Sequence, residues 1–263
     1  MTTINEKKVK CGVCGKKNKF PVIGSTNTIG LPDLDTRPAE MMRSTIVAWA
    51  QRCPECGYCS SDITSLQKEA KLIVKRSEYQ EQLKDTTYPE MANTFLCKAM
   101  IDYGSENYVK ATWALIHAAW ICDDSDHIKQ ARVCREKAID MITIAEEHGQ
   151  QVSPQEGGRT AVLVDLLRRT GRFEQARQMI IKDIDTISDY NFRHILDFQI
   201  GLIDKQDMSC HSIGEALNED DDSEIDKNNT EPQYYFLEDL GIEPTECYPK
   251  GLSSTRLIKN INR

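Results

Sequence analysis

Hydrophobic positions are distributed differently in the two parts of this chain. Up to about residue 61 they come in short runs interrupted by Gly, Pro and Cys, whereas from there to about residue 206 they recur at helical spacing almost without a break. Ile63, Leu66, Ala70, Ile73 and Val74 share one face, and Thr64 and Gln67 are spaced as a capping box, which predicts a helix from about Asp62 to Leu83. A second helix is expected from about Pro89 to Tyr103, with Gly104 as its C-cap. A third, from about Glu106 to Cys122, carries one stripe of Tyr108, Ala111, Leu115, Ala118 and Cys122 and another of Val109, Trp113, Ile116 and Trp120, so it must pack on more than one side. Four more follow, over about Asp126–His148, Glu156–Thr170, Phe173–Ser188 and Tyr190–Lys205, with Gly149, Pro154 and Gly171 as stops.

Helices in a row with short links and almost no strand signal argue for a mainly α fold built of antiparallel helix pairs. One pair reads as a tetratricopeptide-like repeat. Leu163, Leu167, Gly171, Phe173, Ala176 and Ile180 supply its large and small positions, with Gly making the turn and Ala allowing close approach. Ala131 and Ala138 repeat the second-helix spacing one pair earlier, but 45 residues separate Ala131 from Ala176, so the array is irregular and a generic helical bundle stays an alternative.

The first 61 residues carry different chemistry. Cys11-Gly-Val-Cys14-Gly15 and Cys53-Pro-Glu-Cys56-Gly57 are two CxxC knuckles, each ending in a Gly that permits positive φ, so that backbone N–H groups can turn toward the thiolates. Together Cys11, Cys14, Cys53 and Cys56 supply the closed four-thiolate shell of a structural Zn2+ site, with no position left for water. No His occurs in the first 60 residues, which excludes a mixed His/Cys site there. The 38 residues between the knuckles exceed the usual ribbon spacer. The extra loop entropy of about 0.7 kcal/mol is small beside the roughly 10–16 kcal/mol of structural zinc binding. Within the spacer, Phe20 and Val22 suggest a strand, Gly24 to Pro38 is turn-rich, and Ala39 to Ala50 forms a short helical run.

Cys59 extends the second knuckle to CxxCxxC, a spacing also found in iron–sulfur ligation; it reads as a spare buried thiol, with a redox role as a third reading. Asp33-Leu34-Asp35-Thr36-Arg37-Pro38 admits an acid/base or anion-clamp reading, but a capped turn accounts for it more simply. His117 and His194 lie on or beside apolar helix faces and read as core histidines; Cys97, Cys122 and Cys134 read as small hydrophobes. No phosphate loop, HExxH or nucleophile elbow is present, so no enzymatic activity is expected.

Charge divides the chain in three. Residues 1–60 hold nine Lys/Arg against five Asp/Glu, residues 61–206 hold 19 against 23, and residues 207–263 hold five against 13. The acidic run Asn218 to Asp226 is too polar to fold, and residues 207–263 are expected to form a largely disordered acidic tail with an apolar island at Tyr234–Leu240. The basic cysteine module, with Lys16, Lys17 and Lys19, permits nucleic-acid binding as the second functional reading. No apolar run reaches the length of a membrane span, and the absence of a secretory signal pattern makes the expected location cytoplasmic, where thiols stay reduced.

The two knuckles, the segment Leu34-Asp35-Thr36-Arg37-Pro38 with Glu40-Met41-Met42-Arg43, and Ile116-His117-Ala118-Ala119-Trp120-Ile121-Cys122-Asp123-Asp124 together resemble the bacterial family called domain of unknown function twenty-two twenty-five. The resemblance covers about residues 8–206. It implies an N-terminal zinc-ribbon-like module followed by tetratricopeptide-like helices, and it implies no activity. The expected domains are therefore 1–61, a zinc-ribbon-like module with four cysteine ligands; 62–206, a helical array; and 207–263, the tail. The expected function is a zinc-binding, non-enzymatic scaffold or adaptor whose helical groove takes a protein or peptide partner.

Overall fold

The computed structural model describes residues 2–155 and 157–217. The described chain is mainly helical and falls into two compact units, one made of residues up to 28 and 40–150, the other of 29–39 and 151–217.

The first unit begins with an antiparallel hairpin, β1 (Thr3–Lys10) on β2 (Lys17–Ser25), in register from Lys10↔Lys17 to Ile4↔Ile23 with a bulge at Thr3/Ile4. A second, shorter hairpin pairs β3 (Gln51–Arg52) with β4 (Cys59–Ser60). Five helices follow: α1 (Ala70–Ile73), α2 (Ser77–Lys84), α3 (Glu90–Gly104), α4 (Tyr108–Asp124) and α5 (Ile128–Glu147). Helix α4 packs against both α3 and α5, and its side chains are buried without interruption from Ala111 to Cys122. The apolar stripes on opposite sides of this helix demand that double packing.

The single helix expected over Asp62–Leu83 is not formed; only α1 and α2 are helical there. Its first turn is recruited elsewhere. The Asp62 carboxylate accepts from the N–H and hydroxyl of Thr64, Gly12 N–H donates to the Ile63 carbonyl, and the Tyr58 hydroxyl donates to that of Ser65. Gln67, the supposed partner of Thr64 in a capping box, donates instead to Ser60. Glu69 at φ 59° and the extended Arg76 then break helical continuity on either side of α1. The helical run expected over Ala39–Ala50 shrinks to a 3-10 segment, Arg43–Ala48.

Consecutive helices are joined by one recurring turn. At the ends of α3 and α4, Glu106 and Asp126 adopt positive φ, and the next N–H, of Asn107 or His127, donates 2.8 Å to the carbonyl five residues back. This closes the exposed helix end and reverses the chain. In the second unit, Gly171 and Arg172 repeat it. In all three cases a bulky residue starts the next helix and an Ala follows three positions later: Tyr108 and Ala111, Ile128 and Ala131, Phe173 and Ala176. All three alanines are fully buried, where helix axes come close.

The second unit comprises α6 (Gly158–Arg169), α7 (Phe173–Asp183), α8 (Tyr190–Asp204) and α9 (Ile213–Leu217), with residues 29–39 laid across it. Residues 29–39, expected in the cysteine module, belong here: Leu34 N–H donates to the His211 carbonyl, Ile213 N–H donates to that of Pro32, and Asp35 pairs with Arg169 at 3.0 Å. Residues 207–217, expected in the tail, are also folded. The fully buried Arg168 donates to the carbonyls of Asp207 and Ser209 and to the Asp165 carboxylate. The acidic run from 218 to 226, the island Tyr234–Leu240, Cys247 and the basic end from 256 to 263 lie outside the described residues.

Candidate metal centre

Each CxxC knuckle is the turn of a hairpin. Residues 11–16 connect β1 to β2, and residues 53–58 connect β3 to β4. Their closures are alike. Cys11 N–H donates to the Lys16 carbonyl and Gly15 N–H to that of Cys11; Cys53 N–H donates to the Tyr58 carbonyl and Gly57 N–H to that of Cys53, all at 2.8–2.9 Å. Gly15 and Gly57 sit at φ 74° and 75°, a region that a Cβ makes costly.

The two turns face each other and bring four sulfurs together. Cys11 Sγ lies 3.8 Å from Cys56 Sγ and Cys14 Sγ 3.7 Å from Cys53 Sγ, and all four lie within 4.8 Å of one another. A regular tetrahedron with metal–sulfur bonds of about 2.3 Å has edges of about 3.8 Å. The cluster therefore has the size of a metal-ion shell, and it is far too open for disulfides. Backbone N–H groups are aimed at it as well, from Lys16 toward Cys14 and from Tyr58 toward Cys56.

Cys14 is shifted in the opposite direction from Cys53 and Cys56. Burial pushes Cys53 and Cys56 above the usual thiol range, and at Cys56 the neighbouring Cys53, Cys14 and Cys11 add to the shift. Burial also resists ionisation of Cys14, yet the Lys16 N–H and hydrogen bonds from Cys53, Cys56 and Cys11 outweigh it and hold that thiol lower. Four thiols this close cannot all ionise without a cation among them; with one, each becomes a ligand.

The centre is braced by helices of the same unit. Tyr79 of α2, wholly buried, donates its hydroxyl to the Gly57 carbonyl at 2.8 Å. A Cβ on Gly12 would meet the backbone of Thr64, Ser65 and Leu66 at 2.9 Å, so the 63–66 segment lies directly against the first knuckle. Behind the knuckles, Phe20, Tyr58, Ile63, Ile73, Val74, Leu83 and Ile101 form one apolar cluster with the cysteines. The cysteine module and the start of the helices thus share a core rather than meeting at residue 61.

Cys59 is not part of the shell. It is fully buried in that apolar cluster, donates weakly to the Gly57 carbonyl at 3.3 Å and neighbours Cys97. Cys122 and Cys134 likewise neighbour each other in the helical core. His117 is buried among the rings of Trp49, Phe95, Trp113 and Trp120, and His194 stacks edge-on against Tyr190. The segment Asp33–Pro38 closes as a turn, Thr36 N–H to the Asp33 carbonyl, with Asp35 held by Arg169. Lys16 and Lys17 are exposed on the hairpin, whereas Lys19 pairs with Glu6 at 2.9 Å. Among the described residues, no helix is long and apolar enough to cross a membrane. Comparison with known protein families, curated proteins and solved structures yields no match.

Proposed function

We propose that the protein is a zinc-binding interaction scaffold in which Cys11, Cys14, Cys53 and Cys56 hold one structural Zn2+ and the helix pairs present a groove to a protein or peptide. The observation that carries the reading is the sulfur cluster itself. Its thiol-only donor set suits Zn2+, and four protein ligands leave no site for an activated water. The site is then a staple that holds two hairpins and the helices behind them, not a centre of reaction.

The repeated turn and buried Ala at Ala111, Ala131 and Ala176 support a tetratricopeptide-like reading of the helix pairs, a fold that displays an extended concave surface. Nucleic-acid binding through the basic hairpin is the second reading, favoured by the exposed Lys16 and Lys17.

Two measurements test this. Metal analysis of protein purified without chelator should return zinc in equimolar amount, and a brown, visible-absorbing anaerobic preparation would replace zinc with an iron–sulfur cluster. Capture from cells producing the tagged protein at native level should recover a protein partner; recovery of nucleic acid alone would favour the second reading instead.

A further inference from the structure

The four cysteines of the metal centre are shielded unequally. Cys11 and Cys53 are 1% and 0% exposed and Cys56 is half-buried, whereas Cys14 is exposed. A surface groove of about 1090 Å3 beside the second knuckle opens on the shell; Cys14, Cys53 and Cys56 line it, and Cys11 does not. Cys14 Sγ also lies 3.7 Å from Cys53 Sγ, so the open sulfur has a second sulfur from the other hairpin at its side. A thiolate that holds a metal ion is still a nucleophile, and access decides which one a small electrophile reaches. The other thiols of this unit are shut away: Cys59, Cys97, Cys122 and Cys134 are all fully buried, and none lines the groove.

We propose that Cys14 is an oxidation site, at which hydrogen peroxide converts the four-cysteine shell into a Cys14–Cys53 disulfide and releases the ion. The Cys14 thiolate attacks one peroxide oxygen: the S–O bond forms, the O–O bond breaks and hydroxide leaves, giving a sulfenic acid. The Cys53 thiolate then attacks the Cys14 sulfur: the S–S bond forms, the S–O bond breaks and a second hydroxide leaves. Two thiolates have given up two electrons, and one hydrogen peroxide has become two hydroxides. Cys11 and Cys56 remain as two ligands in place of four, too few for a structural zinc shell. Cys14 belongs to the turn between β1 and β2, and Cys53 to the turn between β3 and β4, so the disulfide ties the same two hairpins that the ion ties. The module exchanges one cross-link for another, and a thiol reductant with fresh Zn2+ restores the first. This inference rests on the zinc reading of the four cysteines.

The test treats the full-length, zinc-loaded chain with hydrogen peroxide, follows released zinc with a chromogenic chelator, traps sulfenic acid with dimedone and maps disulfides by mass spectrometry without reduction. Zinc should be released in step with a Cys14–Cys53 disulfide, the first dimedone adduct should fall on Cys14, and reductant with added Zn2+ should reverse the release. Cys14→His keeps four ligands and removes the open thiolate, so its zinc should withstand about tenfold more peroxide or better. If that variant fails to load zinc, the adduct map of the wild-type chain decides alone. A first adduct on any other cysteine, or a disulfide formed within one knuckle, Cys11 with Cys14 or Cys53 with Cys56, would overturn the proposal. Failures of the two readings are distinct: a chain that carries no zinc before treatment removes the staple and this device together, and zinc that stays bound under excess peroxide removes the device only.

Discussion

The hydroxyl of Tyr79 donates to the carbonyl of Gly57, joining α2 to the residue of positive φ that ends the second knuckle. Burial pushes the Tyr79 phenol well above its ordinary range, so it remains a neutral donor throughout the working pH range. Tyr79→Phe leaves that carbonyl without the phenol in a buried site and should lower unfolding free energy by about 1–3 kcal/mol. Denaturant melts would show this as a lower midpoint with unchanged slope, and metal content should stay full because no ligand is touched.

The sulfur positions separate Cys59 from its neighbours. Cys→Ser at residue 11, 14, 53 or 56 should each abolish tight metal binding and loosen the whole first unit, given the roughly 10–16 kcal/mol that structural zinc contributes. Cys59→Ser should keep the metal and cost only about 1–3 kcal/mol for burying a hydroxyl. Metal analysis beside circular dichroism of the five variants checks both statements, and metal loss from the Cys59 variant would place it in the shell.

These two cases show which parts were legible in the sequence. The ligands could be read because CxxC-Gly encodes a closed turn locally, and α3 to α8 because each has its own period and stops. The helix expected over Asp62–Leu83 failed because the carbonyls of Ile63 and Ser65 accept from Gly12 and Tyr58, distant partners that no local pattern reveals. Strand β1 was missed since seven of its eight residues are exposed and only Val9 faces the core, leaving no apolar alternation. Ala111 carried a readable signal: its spacing from Tyr108 repeats that of Ala131 from Ile128 and Ala176 from Phe173.

The place of residues 29–39 was also hidden, because Asp35 finds its partner Arg169 134 residues later. Both side chains are almost wholly buried. Removing one charge should strand the other, so Asp35→Ala should cost about 3–5 kcal/mol. Asp35→Leu combined with Arg169→Met should recover most of that loss. A double-mutant cycle read by thermal or denaturant unfolding measures the coupling, and additive losses would show that the pair does not act as a unit.

Asp207 gives the second unit an acid-sensitive latch. Hydrogen bonds from the Ser209 hydroxyl and N–H, then from His211, hold its carboxyl well below the usual range. A depressed pKa means that the charged form favours the folded state. Its contribution is therefore complete above the unfolded Asp value of about 3.9 and is lost as pH falls through the lower folded value. Asp207→Asn should be less stable than wild type at pH 6, with the difference closing below about pH 3.9. Limited proteolysis across residues 207–217 at a series of pH values would follow it.

Because residues 29–39 belong with 151–217, the second unit is discontinuous along the chain, and synthesis imposes an order on it. All four metal ligands have been made by residue 56, so the cysteine shell can close on its ion early, throwing the intervening residues out as a loop. Residues 29–39 must then wait while residues 57–169 are added, roughly 6–23 s at typical elongation rates. In this order a bound ion would act as a timer as well as a staple, fixing both ends of the loop before its partner exists, so that the later docking joins a tethered segment and not a free one.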